Sequence, residues 1–323
     1  MKMPTFLTII LSLSLFTSCA LVRKSAVSTA SPIFVKATEG LEQESDLEHF
    51  KQGTPGNLML LESLLYVSPS DKDILVSLVK GYSGYAFAIH ETKYLEDLLA
   101  EKENSKAKKQ ALLNYSKAIK HGLSYLNLYG ISFSDLERAV REEGGIPRFL
   151  EKEYDDDGRD IDAVLFLAQS LGSFINMNKT DMTLVARLGV AKGLFDWACN
   201  LNPDVNFGMC DIFYGAYEAA RPRMLGGNPQ KAKEIFSKAM KRWPKNWLIH
   251  VSYIQYYLIP MAEEEEYKQY KVILENAHND FESSLLWSPS EKDENLGAPR
   301  MRIYQSLAFE RFKIIKKMEN DIF

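Results

Sequence analysis

Cysteine thiols are the side chains in this sequence whose positions point most clearly to chemistry. Cys19 follows two small residues and an apolar stretch from Phe6 to Phe16, and Lys2 supplies a positive charge in front of that stretch. Charge, short apolar core and small residues make up an export signal, and the thiol that follows can be acylated. The sequence therefore predicts lipid attachment at Cys19. The alternative is an ordinary export signal with an incidental cysteine.

The other two cysteines, Cys199 and Cys210, lie in apolar stretches with helical periodicity. Two cysteines in a chain of 323 residues do not amount to a disulfide framework. Cysteine is also among the residue types most often buried as a small hydrophobic side chain. We interpret the pair as two buried thiols, and a disulfide in an oxidising compartment is the alternative.

The sequence contains no recognisable catalytic or metal-binding motif. The five histidines have no paired metal-ligand spacing, and there is neither a G-x-S-x-G motif nor a glycine-rich phosphate loop. We therefore expect no catalytic residue, no cofactor and no metal, with a hydrolase site built from distant positions as a minor alternative. The net charge of −4 offers no basic stripe for nucleic acid.

Three aromatic side chains are the candidates for a binding surface. Tyr82, Tyr85 and Phe87 alternate with glycine, alanine and serine on one predicted helix. Small residues allow a neighbouring chain or ligand to approach closely, so these aromatics could line a ligand cleft or a subunit contact. Ordinary core packing is the alternative, and it is the more common use of such a pattern.

The chain divides into three predicted regions. Residues 1–18 form the signal peptide, whose apolar stretch is too short for a bilayer span of about 20 residues. The residues before Cys19 resemble the bacterial lipobox, which implies cleavage there and a stable anchor of several acyl chains. Residues 19–56 contain scattered serine, glycine and proline and are predicted as a flexible, lipid-anchored tether. Residues 57–323 form an α-helical domain.

Helical periodicity dominates this domain and contains a repeat. The first set is Ala191, Phe195, Ala198 and Pro203. A second set with identical spacing is Ala232, Phe236, Ala239 and Pro244. A third set, which lacks the proline, is Ala111, Tyr115 and Ala118. Small alanines let a paired helix approach, the aromatic ring fills the space, and proline ends the helix. The pattern resembles tetratricopeptide repeats and predicts an all-α fold of helix-pair repeats that form a superhelix.

Longer segments resemble the family of TRAP transporter T components (TRAP, tripartite ATP-independent periplasmic). The similar segments are residues 60–69, 81–87 and 168–175, with Arg221, Pro222, Gly226, Gly227, Pro229, Lys231, Ala232, Phe236 and Ala239. The resemblance implies a periplasmic lipoprotein that forms a homotrimer and pairs with a TRAP-type solute-binding protein. It also implies that small ligands are handled, and it offers no catalytic residues.

The sequence thus predicts a transport accessory protein, anchored to the membrane by lipid and facing the periplasm. Its expected partner is a solute-binding protein, and it could hold a small ligand itself. A general cell-envelope scaffold for protein–protein interaction, using the same helical repeats, is the alternative.

Overall fold

A computed structural model describes residues 5–154, 157–289 and 298–323 of the chain, and within these ranges every regular element is a helix. The first half contains α1 (Thr5–Glu42), α2 (Leu47–Val67), α3 (Lys72–Tyr85), α4 (Thr92–Leu99), α5 (Lys106–Asn127), α6 (Phe133–Ala139), α7 (Gly145–Leu150) and α8 (Gly158–Met177). The second half contains α9 (Met182–Val185), α10 (Leu188–Leu201), α11 (Met209–Ala220), α12 (Pro229–Arg242), α13 (Trp247–Tyr253), α14 (Ile259–Met261), α15 (Glu264–Leu285), α16 (Arg302–Lys317) and α17 (Glu319–Ile322). The predicted all-α fold is confirmed.

Irregular helical segments connect several of these helices. Residues Ala86–Glu91 join α3 to α4, and Ile254–Leu258 join α13 to α14; both have π-helical hydrogen bonding and are called the first and second π segments. Short 3-10 turns occupy Val205–Phe207, Arg223–Leu225 and Pro299–Met301. The chain therefore stays helical from Lys72 to Leu99, with the first π segment between α3 and α4.

The region predicted as a tether differs in the structure from a flexible spacer. Residues up to Glu42 belong to α1, and α2 begins at Leu47 after the N-cap Asp46, whose carboxylate accepts hydrogen bonds from two backbone N–H groups. Val27 and Phe34 of α1 pack on the buried side chains of α2 and α3. Burial of these apolar side chains outweighs the scattered proline and glycine residues that suggested a spacer. Residues 1–4 of the predicted signal peptide lie outside the described residues.

The alanine and aromatic residues of the predicted repeat lie in the interior. All nine alanine and aromatic residues of the three sets are buried, and they lie on α5, α10 and α12. Two neighbouring pairs are α8 with α10 and α11 with α12. In the second pair, a Cβ atom at Gly215 would come within 2.4 Å of the Phe236 ring, so glycine is what allows α11 to approach α12.

Side-chain caps begin two of the helices, and a left-handed turn precedes a third. The carboxylate of Asp71 caps α3 by accepting a hydrogen bond from the N–H of Ile74 (3.1 Å), and Asn228 caps α12 with Pro229 at its first position. Before α11, Asn206 has a left-handed φ of 49°, and α11 begins at Met209 after Gly208. The turn needs this backbone to reverse direction between α10 and α11.

Cys199 and Cys210 form a disulfide, so the interpretation as two buried thiols is wrong. Their Cα atoms are 6.0 Å apart, which is within the range that a disulfide requires. The bond joins the end of α10 to the start of α11. Sequence spacing did not reveal it because only the reversal at residues 202–208 brings the two helices together.

We expect that replacing Ala232 with Leu overpacks α12 against α11 and lowers the free energy of unfolding by about 1–3 kcal/mol. Ala232 is fully buried, so the larger side chain must displace its neighbours. Thermal unfolding followed by circular dichroism measures the loss. Glu234→Leu is the matched control, because Glu234 is exposed on the same helix. Equal stability of both variants would mean that the repeat register is not what sets this interface.

Candidate functional site

Tyr82, the first of the predicted aromatic residues, lies inside the packing of α3 rather than in a cleft. Its ring is buried against Leu58, Leu78 and neighbouring apolar side chains. Its hydroxyl accepts a hydrogen bond from Nζ of Lys117 on α5 (2.9 Å). Burial raises the pKa of the Tyr82 hydroxyl above its usual range. The side chain therefore joins α3 to α5 as a core residue with one polar contact.

Tyr85 and Phe87 point to different neighbours. Tyr85 is half-buried, and its ring lies edge-on to His90 at 5.0 Å between centroids. Phe87 is in the first π segment, where the guanidinium of Arg311 lies 4.1 Å above its ring. Tyr82 and Tyr85 share one packed cluster, and Phe87 belongs to two others. The structure does not bring the three residues together as one surface.

A buried polar network surrounds the position of Phe87. Arg311 of α16 is fully buried, and its Nε donates to Oγ1 of Thr92 (2.9 Å). Its two terminal nitrogens donate to the backbone oxygen of Phe87 (2.9 Å) and to Oε1 of Gln255 (3.2 Å). Thr92 follows the first π segment, and Gln255 lies in the second. The widened turns of both segments therefore meet at this one guanidinium.

Glu91 supplies the negative charge of the network. Its Oε1 is 3.9 Å from Arg311, and the same oxygen accepts from the Tyr256 hydroxyl (3.4 Å). Its Oε2 accepts a hydrogen bond from the Tyr115 hydroxyl (2.5 Å). Burial, followed by the nearby carboxylate, raises the pKa of both tyrosines, so they stay protonated and keep donating to Glu91. Buried charges remain tolerable only when paired and hydrogen-bonded in this way.

This network joins α16 to helical segments that are far from it in the sequence. π-Helical turns are often found at functional sites, but here the polar groups that they expose are taken up by Arg311 and Glu91. The arrangement holds α4, α16 and the second π segment in one geometry. Sequence reasoning missed it, because Arg311 and Glu91 are 220 positions apart and neither belongs to a recognisable motif. The one available signal is a lone arginine inside the apolar face of α16.

Two sets of exposed apolar side chains lie on, or directly after, the helices α2 and α15. The first, the α2 group, consists of Met59, Leu60, Tyr66 and Val67. The second, the α15 group, consists of Val272, Ile273, Leu286 and Trp287. Trp287 is 89% exposed and Tyr66 is 88% exposed, which is unusual for large aromatic rings on a folded domain. Contiguous exposed apolar surface is typical of sites that contact another molecule, and Tyr66 with Val67 and Leu286 with Trp287 are adjacent in sequence.

The end of α2, with Tyr66 and Val67, and the end of α15, with Leu286 and Trp287, lie towards opposite ends of α1. Ser28 of α1 contacts Ser68 directly after α2, with 3.4 Å between their hydroxyl oxygens. At the other end of α1, Glu42 accepts from Nε of Arg300 just before α16 (2.6 Å). Because α15 runs alongside α16 in the opposite direction, with Glu275 paired to Lys316 and Phe281 packed on Phe309, the end of α15 points towards Arg300.

The described residues show neither a membrane-spanning helix nor a metal cluster. No helix in the described ranges is long and apolar enough to cross a bilayer. No group of three His, Cys, Asp or Glu side chains within those ranges is arranged to hold a metal ion. Cys19 lies within α1, and its side chain is outside the described part of the structure.

Fold and surface together define an all-α protein of packed helix pairs with exposed apolar groups. A family model, the TRAP transporter T-component, matches residues 43–287. The chain belongs to this family, because the match covers most of its length and nearly all of its helices up to α15. A search of curated proteins finds no match. Membership assigns the chain an accessory role in a bacterial TRAP transport system.

Proposed function

We propose that this T component is anchored in the cell envelope through lipid on Cys19, faces the periplasm, and holds a TRAP-type solute-binding protein near the membrane. The observation that carries the proposal is the family match over residues 43–287. A homotrimer is part of the same proposal. It rests on the family resemblance alone.

The disulfide supports an envelope location. Disulfides persist in oxidising compartments such as the bacterial periplasm and are rare in the cytosol. The Cys199–Cys210 bond is buried, with both residues less than a tenth exposed. A chain that is exported before it folds can form this bond as α10 and α11 come together.

The α15 group is our candidate for contact with the solute-binding protein. Tryptophan is enriched among the residues that contribute most to protein–protein affinity, and Trp287 lies beside exposed Leu286. Leu286 and Trp287 also lie towards the end of the molecule that is far from Cys19, because α1 leads from Cys19 towards Glu42, which contacts Arg300. A solute-binding protein docked there would be clear of the membrane and able to exchange ligand.

The test is to mix the purified protein with the solute-binding protein of the same transport system and to look for a complex by analytical ultracentrifugation. We expect an affinity on the order of micromolar, or about −8 kcal/mol, because handover requires release. Trp287→Ala should weaken the complex. Met224→Ala is the matched control, since Met224 is similarly exposed and lies elsewhere.

Two outcomes would change the proposal. If both variants weaken the complex equally, the contact does not lie at the α15 group, but the proposed function still stands. No complex at tens of micromolar, with and without candidate ligands, would instead favour the general envelope scaffold.

A further inference from the structure

The N-terminal part of α1 and the C-terminal end of α2 lie at the same end of the domain. Ser31 of α1 donates to Asp73 at the start of α3 (3.4 Å), and Glu42 pairs with Lys80 further along α3 (2.6 Å). Helix α1 therefore runs parallel to α3. The Ser28–Ser68 contact shows that α2 returns in the opposite direction. The end of α2 thus lies at the end of the domain from which α1 leads back to Cys19.

The distance from this end to Cys19 is short. At 1.5 Å of rise per residue, the helix between Cys19 and Ser28 is about 14 Å long. An acylated Cys19 lies at the surface of the bilayer, since its chains insert among the lipids. Lipid on Cys19 therefore brings the end of α2 within reach of the headgroups.

The side chains at this end fit a lipid surface. Tyr66 and Val67 are exposed in the last turn of α2, and exposed Leu128 follows α5. The start of α3 and the end of α5 are joined here, because Nζ of Lys72 donates to the Tyr129 hydroxyl (2.8 Å). Tyrosine prefers the membrane interface, where its ring is apolar and its hydroxyl stays hydrated.

A cation lies beside two of the carboxylates at this end. Asp73 and Asp157 are 3.1 and 3.4 Å from the guanidinium of Arg159. Lys24 is exposed on α1 between Cys19 and Ser28. Lysine near an acyl anchor adds attraction to anionic headgroups.

We propose that this end of the domain, with Tyr66, Val67 and Leu128, rests on the lipid bilayer surface. The inference depends on the proposed lipid anchor at Cys19. It adds that the domain has a fixed orientation on the membrane, with Tyr66 and Val67 beside the headgroups and Trp287 pointing away. Because the anchor keeps the domain close to the bilayer, a weak contact is sufficient to orient it.

The chain offers a direct test, because Tyr66→Cys introduces a thiol that can be labelled selectively. Cys199 and Cys210 are bonded to each other, and Cys19 is acylated under the proposal. A polarity-sensitive dye is attached at position 66 of the lipidated full chain. The labelled protein is then bound to vesicles of phosphatidylethanolamine and phosphatidylglycerol. We expect a blue shift of the emission and quenching by a lipid with a spin-labelled headgroup.

Met59→Cys, labelled with the same dye, is the matched control. Met59 is exposed on the same helix about two turns further from the anchor, so the affinity of the dye itself is the same in both proteins. We expect weaker quenching at position 59. Equal quenching at the two positions, or none at position 66, would overturn the proposed orientation.

Vesicle flotation separates this inference from the proposed anchor. A protein that floats without quenching at position 66 retains its anchor and disproves only the orientation. If the lipidated protein fails to float, or if the Cys19→Ala variant floats equally well, both the anchor and the orientation are wrong. If the dye on the Cys19→Ala protein is already blue-shifted without vesicles, a second copy covers this face, and the membrane contact is wrong.

Discussion

Replacing Arg311 with Met is expected to lower the free energy of unfolding by about 3–5 kcal/mol, because it leaves Glu91 as a buried charge without its cation. The guanidinium also satisfies the Phe87 backbone oxygen, Thr92 and Gln255, and these groups lose their donor at the same time. Denaturant unfolding followed by circular dichroism measures the effect.

Lys316→Met is the control for the charge change on α16. Lys316 is half-exposed and pairs with Glu275 at the surface, where an ion pair contributes about 0–1 kcal/mol. The double variant Arg311→Met with Glu91→Gln should regain part of the lost stability, since the unpaired charge is then removed. A loss at Arg311 no larger than the loss at Lys316 would show that the network does not hold α16 in place.

Acid is expected to destabilise the domain through His250. This side chain is 8% exposed on α13, between the rings of Trp247 and Tyr270, and burial lowers its pKa to about 4. An unfolded histidine has a pKa of about 6.5, so between these values the unfolded chain binds a proton that the folded chain excludes. The stability from neutral His250 is therefore fully present above pH 6.5 and is lost as the pH falls to 4.

The loss should be about 2 kcal/mol at pH 5 and about 3 kcal/mol by pH 4, from the difference of the two pKa values at 1.36 kcal/mol per unit. Unfolding free energies of the parent and of His250→Leu, measured at pH 7.5 and pH 5, isolate this contribution from that of the carboxylates. The variant should lose less stability on acidification than the parent. Parallel pH profiles for the two proteins would mean that His250 takes up its proton as readily folded as unfolded.

Local patterns in the sequence were sufficient to predict the helical class and several interfaces. The alanine and aromatic sets predicted which faces of α5, α10 and α12 are buried, because helical spacing alone places such residues on one side. The caps at Asp71 and Asn228 are likewise local, since each side chain accepts from a backbone N–H group three positions away. The resemblance to T components was confirmed by the family match.

Features that depend on distant partners could not be predicted in this way. Gly53 and Pro55 suggested a spacer, yet α2 passes through both because Leu58 and Leu61 are buried against α3. The disulfide depends on the turn at Asn206, and the Arg311 network depends on two π segments that no local pattern marks. Tyr82, Tyr85 and Phe87 were placed on one helix correctly, but the first π segment directs Phe87 to different neighbours.

Helix α16 also sets the order in which the chain can complete its fold. Its contacts join residues that are far apart in sequence: Ser306 donates to the backbone oxygen of Ser45, 261 positions earlier, and Arg311 donates to Thr92 across 219 positions. Such non-local contacts form slowly, because a long loop must close before any contact is gained. Helix α16 leaves the ribosome after the helices that it joins. Until it docks, the pocket for Arg311 and the apolar surface around it stay open, and the incompletely folded chain is exposed to aggregation and proteolysis at that surface.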